Sequence, residues 1–387
     1  MYGAEQRRAR AAEAKDFVRT AQNAMWLCLP VTETLPMPKN HIELQSDTQT
    51  RPTPEMREAI ASAEVGDEQG FNDPTVTALV ERVAELFGKE SAVLLPSGTM
   101  CNQISAAVHC GPGDDIIAER SSHIIGVEAG GISVLARAGP HPIDGERGIF
   151  TPEQAEAAVR APWRYAPRTR VISIEQTANL KGGTIWPLET IRGVVDVAKR
   201  HELKMHMDGA RVLNAVVATG VSAKDYATGF DSVWVDLSKG LGCPIGAVLA
   251  GSTEFIENAW RWKQRIGGSM RQAGIIAAAG IYALDNNIER MAEDHANAKM
   301  LAESLASLPG IHVEPEHVET NIIIIDVSAS SADAATWSKR LGEEGVRMSG
   351  IGPKTLRALT HLDVTAEECK RAAEIFATLA TGEFSPA

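Results

Sequence analysis

The chain has 387 residues, enough for one large domain and a smaller one, and 44% of them are hydrophobic, an ordinary fraction for a globular protein. The formal net charge of −12 at pH 7 argues against nucleic acid as a partner, because a phosphate-binding surface needs concentrated basic residues. No apolar run approaches the roughly 20 residues of a membrane span, so a membrane is not an expected partner either.

The cysteines indicate neither a disulfide framework nor a metal site. They are five in number and scattered, without a C-x-x-C pair: Cys28, Cys101, Cys110, Cys243 and Cys369. An odd, dispersed set of this kind is typical of a reducing compartment. We therefore expect a cytoplasmic protein that binds no metal.

The first predicted element is a polar, alanine-rich helix over residues 4–25, after which Pro30, Pro36 and Pro38 interrupt regular structure. The basic residues that begin this segment are not followed by the continuous apolar core of a signal peptide. Nothing in residues 1–43 suggests catalysis. We interpret them as an N-terminal helical extension that lies on the surface or contacts another subunit.

The middle of the chain alternates short apolar runs with helical patterns. Helical patterns cover residues 151–160 and 188–201, and strand-like runs begin at Ala92, Asp115, Arg170, Lys204, Ser232 and Gly246. This alternation predicts an α/β domain over residues 44–290, with a largely parallel sheet covered by helices. A long helical stretch at 272–308, a strand at 321–326 and a closing helix at 365–381 predict a smaller C-terminal α+β domain over residues 291–387.

Two strand ends carry residues suited to catalysis. One strand ends at Asp208, and a turn opens at Gly209. Another strand ends shortly before Lys239, which Ser238 and Gly240 flank. Ligands of open α/β sheets collect beyond the carboxyl ends of the strands, and a lysine that is held desolvated there can form an imine with an aldehyde.

A third motif lies where an earlier strand meets a helix. Ser97, Gly98 and Thr99 would offer hydroxyl and backbone N–H groups at a helix N-terminus, which suits a phosphate group. Taken singly, Ser-Gly-Thr is more often a helix cap than a phosphate site, and Asp-Gly is more often a turn than a catalytic motif. Most lysines are solvated surface residues. Together, an acid, a lysine and a phosphate loop are the contacts that pyridoxal 5'-phosphate needs.

The order of these motifs resembles the threonine aldolase branch of the β-eliminating lyase superfamily, whose members are fold-type I pyridoxal-phosphate enzymes. The resemblance extends from about Leu44 to the C-terminus. It is carried by SDTQTRP at 46–52, VGD at 65–67, DPT at 73–75, PSGTM at 96–100, His123, EAGG at 128–131, DGAR at 208–211, LSKGLG at 237–242, the segment 267–274 and THLDV at 360–364.

The resemblance implies a role for each matching position in the cofactor site. Lys239 would hold the cofactor, Asp208 would pair with the pyridine nitrogen, and Arg211 would lie beside the ring's 3-hydroxyl. His123 would stack on the ring, and Ser97, Gly98 and Thr99 would bind the phosphate. Lys239, His123 and Asp208 are accordingly the expected catalytic residues, although His123 could instead be a hydrogen-bonded core histidine.

The resemblance also implies substrate and subunit contacts. Ser46 and Arg357 would hold the carboxylate of an amino-acid substrate, and an arginine can grip a carboxylate with two parallel hydrogen bonds. Without the resemblance, Arg357 could be a surface ion pair and Ser46 a turn residue. Arg271 would reach a neighbouring subunit's cofactor site, because such enzymes assemble as homodimers or homotetramers with shared active sites.

Three positions depart from the family's usual pattern. The family carries a histidine, a candidate base for the substrate's β-hydroxyl, where this chain has Ala178. Phe71 replaces an aromatic hydroxyl, and Gln264, next to Lys263, stands where a basic residue is common. Loss of an imidazole removes a proton acceptor with a pKa near neutrality. His123 or an ordered water would then accept the proton, or the substrate carries a larger β-substituent than threonine does.

The predicted function is therefore a threonine-aldolase-like lyase that cleaves the Cα–Cβ bond of a β-hydroxy-α-amino acid to glycine and an aldehyde. One alternative keeps the cofactor but eliminates a β-leaving group, as a lyase or dehydratase that releases ammonia and a keto acid. The other is a binding protein that has this fold without catalysis. The presence of Lys239, Asp208 and Arg211 together argues against that last alternative.

Overall fold

The computed structural model describes residues 41–384, so the helix predicted at 4–25 lies outside the described residues. The strands are β1 Ile42–Glu43, β2 Ser91–Leu95, β3 Asp114–Glu119, β4 Gly139–Ile143, β5 Arg168–Glu175, β6 Lys204–Asp208, β7 Ser232–Asp236, β8 Ala247–Gly251, β9 Ile322–Asp326, β10 Val346–Arg347, β11 Ser349–Gly350 and β12 Thr355–Leu359.

The helices surround these strands. They are α1 Pro54–Ala61, α2 Pro74–Phe87, α3 Gly98–His109, α4 His123–Gly126, α5 Pro152–Ala158, α6 Leu188–Arg200, α7 Val212–Thr219, α8 Ala223–Ala227, α9 Thr253–Arg265, α10 Gly274–Asn286, α11 Met291–Ala306, α12 Ala334–Glu343 and α13 Ala366–Phe384. Within residues 41–384, none of them is both long enough and apolar enough to cross a membrane.

The central sheet confirms the predicted α/β architecture. It has seven strands in the order β2-β8-β7-β6-β5-β3-β4. Strand β8 is antiparallel to both of its neighbours, whereas the other pairings are parallel. Strands β3, β6 and β7 consist largely of buried residues without alternation between buried and exposed positions, as is typical of parallel strands that are covered on both faces.

Two sequence expectations differ from the structure in detail. The helical stretch predicted at 272–308 is divided into α10 and α11, and Asn287 at the break donates its side-chain amide to the carbonyl of Leu241. Strand β4 was not predicted, because Pro140 and Pro142 obscure its pattern. It lies at the edge of the sheet, where a missing N–H is tolerated.

A second hydrophobic core lies in the C-terminal part of the chain. Strands β11, β12 and β9 form an antiparallel sheet, and Trp337 stacks on Phe376 with ring centroids 5.0 Å apart. Strand β1 pairs with β10, so Ile42 and Leu44 pack into this second core. The division of the chain at residues 290 and 291 stays a prediction.

The fold gathers acidic residues at one edge of the central sheet. Glu175, Asp208 and Asp236 are the last residues of β5, β6 and β7. Glu175 and Asp208 are direct neighbours in the register of their strands. Because the carboxyl ends of parallel strands meet at this edge, it is the expected location of a ligand site.

Candidate active site

The N-terminus of α3 lies directly against strand β7. Ser97 caps the helix, since its Oγ accepts a hydrogen bond from the backbone N–H of Met100 at 3.3 Å. A Cβ on Gly98 would fall 2.2 Å from a ring carbon of Trp234, so a larger residue would push the helix off the sheet. The predicted phosphate loop, Ser97 to Thr99, therefore opens a helix of 12 residues at the sheet edge.

Lys239 follows β7 at the same edge. Its Nζ lies 2.6 Å from Oδ2 of Asp236 and 5.6 Å from the centroid of the Trp234 ring. The side chain is 17% exposed. Thr50 donates its hydroxyl to the Lys239 carbonyl at 2.9 Å, which brings the segment that contains Ser46 next to the lysine.

Asp208 is buried and held by two donors. Its Oδ2 accepts a hydrogen bond from the side-chain amide of Asn102 at 2.7 Å, and its Oδ1 accepts one from the backbone N–H of Ala210 at 3.1 Å. Gly209 permits the turn, because a Cβ there would lie 1.9 Å from the carbonyl oxygen of Trp234. These two hydrogen bonds fix the orientation of the carboxylate at the end of β6.

His123 lies beside Asp208 and is bound to a second carboxylate. Its Nδ1 is 2.7 Å from Oε1 of Glu128, and a nitrogen of His123 and oxygens of Glu128 and Asp208 lie within 4.8 Å of one another. Burial acts to lower the pKa of His123, but the Glu128 hydrogen bond and the Asp208 charge outweigh it and raise that pKa. Burial raises the pKa of Glu128. The His123 side chain is 34% exposed, so it is not fully enclosed in the core.

Glu175 fixes two short segments around the site. Its carboxylate accepts hydrogen bonds from the backbone N–H groups of His123 at 2.6 Å and Asn179 at 2.7 Å. Burial, reinforced by the charge of Asp208, raises the pKa of Glu175 to about 7. Asn179 in turn accepts a hydrogen bond from Arg357 at 2.7 Å, which joins the small sheet to the site.

Arg211 forms a buried ion pair with Asp47. Two hydrogen bonds of 2.7 Å connect the guanidinium to the carboxylate, and Asn321 donates a third to Asp47 at 3.3 Å. Burial would raise the pKa of Asp47, but the charge and hydrogen bonds of Arg211 lower it to about 2. The guanidinium of Arg211 thus has a buried carboxylate partner that the sequence did not identify.

Arg357 and the Ser46 segment are neighbours across the two cores. The backbone N–H of Leu359, in the same strand as Arg357, donates to the carbonyl of Leu44 at 2.9 Å. Burial, with repulsion from Arg211, lowers the pKa of Arg357 to about 10, so the guanidinium is still a cation at neutral pH. Ser46 caps a 3₁₀ turn at Asp47–Gln49 by accepting from the Thr48 N–H at 3.2 Å.

Arg271 pairs with a residue outside this group. Its side chain is 63% exposed and pairs with Asp67 at 3.1 Å. Nearby, Phe71 is exposed with a positive φ of 54° and packs edge-on against Trp260. Gln264 is exposed, whereas its neighbour Lys263 is buried in an ion pair with Glu68.

Ala178 is buried at the start of the turn that holds Asn179. An ideal Cβ on Gly148 would lie 2.7 Å from the Cβ of Ala178, so this alanine packs tightly against the backbone of another loop. A histidine at this position would have to displace the Gly148 loop or turn toward the site. The space that the sequence suggested for a larger substrate group is therefore limited on the side of Gly148.

Several residues of the site were not identified from the sequence. Asn102 lies four residues after Gly98, one helical turn along α3, and Trp234 alternates with Ser232 and Asp236 on one face of β7. These spacings are the signals that could have found them. Asp47 gives no such signal, because its partner lies 164 residues away in the chain.

Comparisons with known proteins agree with the motifs. Residues 43–329 match the sequence model of the family described as beta-eliminating lyase. Low-specificity L-threonine aldolase 1 of Arabidopsis thaliana is 41% identical over 332 residues, which cover 84% of this chain and 93% of that protein. The low specificity L-threonine aldolase of Escherichia coli strain K12 is 39% identical over 328 residues, 84% of this chain and 96% of that protein.

Solved structures share the fold at lower identity. A putative L-allo-threonine aldolase from Listeria monocytogenes superposes with a TM-score of 0.74 at 23% identity, covering 89% of this chain and 97% of that one. Serine palmitoyltransferase from Sphingomonas wittichii superposes with a TM-score of 0.71 at 17% identity, covering 96% and 97%. The fold-type I architecture and the resemblance predicted from the motifs are both confirmed.

Proposed function

The chain belongs to the β-eliminating lyase family, and we propose that it is a pyridoxal-phosphate-dependent lyase that cleaves the Cα–Cβ bond of a β-hydroxy-α-amino acid to glycine and an aldehyde. One observation carries the proposal. Lys239, Asp208, His123 and the N-terminus of α3 come together at a single edge of the sheet. The relatives named threonine aldolases support the choice of reaction.

The residues present fit pyridoxal phosphate. Asp208 is a buried carboxylate that can face the ring nitrogen, and the helix that begins at Gly98 can receive the phosphate. The hydroxyl of Ser269 is buried without a hydrogen-bond partner among the described residues, and Gly268 beside it packs on Met100 in the first turn of that helix. An unsatisfied hydroxyl at this place suits a phosphate oxygen.

We assign the contacts accordingly. Lys239 would carry the cofactor, Asp208 would face its ring nitrogen and His123 would stack on its ring. Ser97, Gly98 and Thr99 would bind the phosphate, while Arg211 would lie beside the 3-hydroxyl. When bound, the cofactor supplies an electron sink for the negative charge that develops at Cα.

The chain's own residues orient the substrate and move its proton. Arg357 and Ser46 would hold the substrate carboxylate, which fixes the torsion about the bond that breaks. His123 accepts the proton of the β-hydroxyl at Nε2, because its Nδ1 is already bound to Glu128. General-base assistance of this kind contributes about 100- to 10,000-fold in rate.

We further propose that the protein works as a homodimer or homotetramer in the cytoplasm. The exposed side chains of Arg271 and Phe71 are available to a second subunit, and Arg271 would complete the neighbouring cofactor site. The small C-terminal domain, residues 291–387, would contribute Arg357 to the substrate site of the large one, residues 44–290.

The reaction is tested by identifying the products formed from a panel of β-hydroxy amino acids. Glycine and an aldehyde in equal amounts are the expected products. Ammonia and a keto acid would identify the protein as a β-eliminating lyase instead. If the protein binds the cofactor but forms no product from any member of the panel, a binding role replaces the proposed one.

A further inference from the structure

A continuous row of polar side chains crosses the interior behind Asp208. Asn102 is bonded to Asp208, His206 Nε2 lies 2.9 Å from Asn102 Oδ1, and Ser232 Oγ lies 2.8 Å from His206 Nδ1. His109 Nε2 completes the row, 2.8 Å from the same hydroxyl. Asn102, His206 and Ser232 are buried, and His109 lines a cavity of about 460 Å³ at the opposite edge of the sheet.

The direction of these hydrogen bonds follows from one residue. The indole Nε1 of Trp234 can only donate, and it lies 2.7 Å from Asn102 Oδ1. The amide oxygen of Asn102 must therefore face Trp234, so its two N–H groups face the carboxylates. They lie 2.7 Å from Asp208 and 2.6 Å from Glu128, and each donates to one of them.

The rest of the row takes the same direction. His206 must donate from Nε2, because the amide oxygen of Asn102 is only an acceptor. Burial, with the neighbouring His109, lowers the pKa of His206 to about 3, so its ring is neutral and its Nδ1 is an acceptor. The hydroxyl of Ser232 then donates to His206 and accepts from His109. Every bond in the row therefore donates toward Asp208.

We propose that His206 and Trp234 are positioning residues of the active site, which fix the Asn102 amide so that it donates to Asp208 and Glu128 and thereby hold the Asp208 carboxylate where it can stabilise a protonated ring nitrogen of the cofactor. The inference rests on the proposed function, because it assigns Asp208 to that nitrogen. Neither residue touches the cofactor in this assignment. Both act through Asn102, because they bind its amide oxygen and so fix the torsion that aligns its two N–H groups with the carboxylates.

The experiment uses the full-length protein loaded with pyridoxal phosphate that carries ¹⁵N in the ring. The ring-nitrogen chemical shift reports directly whether that nitrogen is protonated. His206→Leu removes the imidazole that donates to Asn102, and Trp234→Phe removes the indole N–H together with ring carbons that pack on Gly98. In His206→Leu we expect the ring nitrogen to lose its proton at a pH lower by about one unit or more, with a smaller change in Trp234→Phe.

Two control variants separate positioning from general damage. His206→Gln supplies a side-chain N–H for Asn102 and an oxygen for Ser232, so we expect a nearly unchanged resonance. His295→Leu removes a half-buried histidine, which bonds to Asn214 and not to the row, and it should leave the resonance unchanged. Thermal unfolding with and without cofactor identifies any variant that does not fold. If His206→Leu does not fold, Trp234→Phe decides the question.

The outcomes distinguish this inference from the proposed function. If Asp208→Ala alters the resonance but neither His206→Leu nor Trp234→Phe does, the positioning role is wrong and the proposed function stands. A folded His206→Gln that is as perturbed as His206→Leu would also overturn the role, because a restored donor should be sufficient. If the unaltered protein does not take up the cofactor, or Asp208→Ala leaves the resonance in place, both inferences are overturned.

Discussion

Removal of one partner from the buried ion pair between Asp47 and Arg211 should strongly destabilise the protein. Both side chains are almost fully enclosed, and two hydrogen bonds of 2.7 Å join them. Asp47→Ala would leave the guanidinium buried without its counter-ion and would also remove the hydrogen bond from Asn321. Removal of one partner from a buried pair costs about 3–5 kcal/mol, and we expect a loss of stability in that range.

The dependence of unfolding free energy on pH gives a second measure of what ionised Asp47 contributes. The pKa of Asp47 falls from 3.8 to about 2 on folding, which corresponds to about 2 kcal/mol. Because the folded pKa is the lower one, this stability is present above about pH 4 and is lost as the pH falls toward 2. The substitution should cost more than protonation does, because a protonated Asp47 still occupies the space and can form hydrogen bonds.

Urea unfolding at neutral pH measures the stability that Asp47→Ala loses. The same measurement on the unaltered protein between pH 5 and pH 2 measures the stability lost when Asp47 is protonated. The matched control is Asp144→Ala, which breaks an exposed pair with Arg120 and should change stability little. The double variant Asp47→Leu with Arg211→Met should be more stable than Asp47→Ala, since apolar residues of similar size can replace a buried pair. A loss below about 1 kcal/mol in Asp47→Ala would refute the reasoning, because enclosure would then carry no penalty for the remaining charge.

Four further predictions concern the cofactor, the assembly and the substrate. Lys239→Ala should lose the yellow colour of covalently bound cofactor together with the activity, and an unaltered visible spectrum would contradict the central assignment. Asp208→Ala should fold but turn over far more slowly, so kcat near that of the unaltered enzyme would show that another group faces the ring nitrogen. A mixture of the inactive variants Arg271→Ala and Lys239→Ala should regain activity, because one site of a hybrid assembly then has both residues intact. A chain that is fully active as a monomer in ultracentrifugation would exclude a role for Arg271 in a neighbouring site. If the room left by the absent imidazole lies on the side of Ala178 away from Gly148, phenylserine should have a kcat/KM above that of threonine by about one or two powers of ten, and Ala178→His should shift the balance toward threonine. Equal or better cleavage of threonine by the unaltered enzyme would mean that Ala178 does not set substrate size.

The sequence identified site residues most readily where a single strand end or helix start contains the complete motif. Asp208, Lys239 and the loop at Ser97 each follow a run of buried residues, and the structure places all three at the same edge of the sheet. Their gathering was predictable, because parallel strands present their carboxyl ends together. The prolines of β4 hid a strand for an equally local reason, since a pattern that contains them reads as a turn.

The partners of these residues were not predictable in the same way. The hydrogen bonds between Asp47 and Arg211 and between Thr50 and Lys239 join residues more than 160 positions apart in the chain. The bond between Asn102 and Asp208 joins residues more than 100 positions apart. No periodicity connects positions so far apart, because the distance between them depends on how complete elements pack. The role of Ala178 is similar. Its contact with Gly148 comes from another loop, and that contact limits the space inferred from the sequence.

The sequence by itself determined the parallel α/β sheet, the order of the motifs and which side chains follow each strand, because these depend on contacts within one element or between adjacent ones. The tertiary structure alone decided which groups share the buried site. It placed Trp234 between Gly98, Asn102 and Lys239, and so set both the position of a helix and the orientation of an amide. A buried donor that can bond in only one direction orders the polar groups around it, and that effect exists only after the chain has folded.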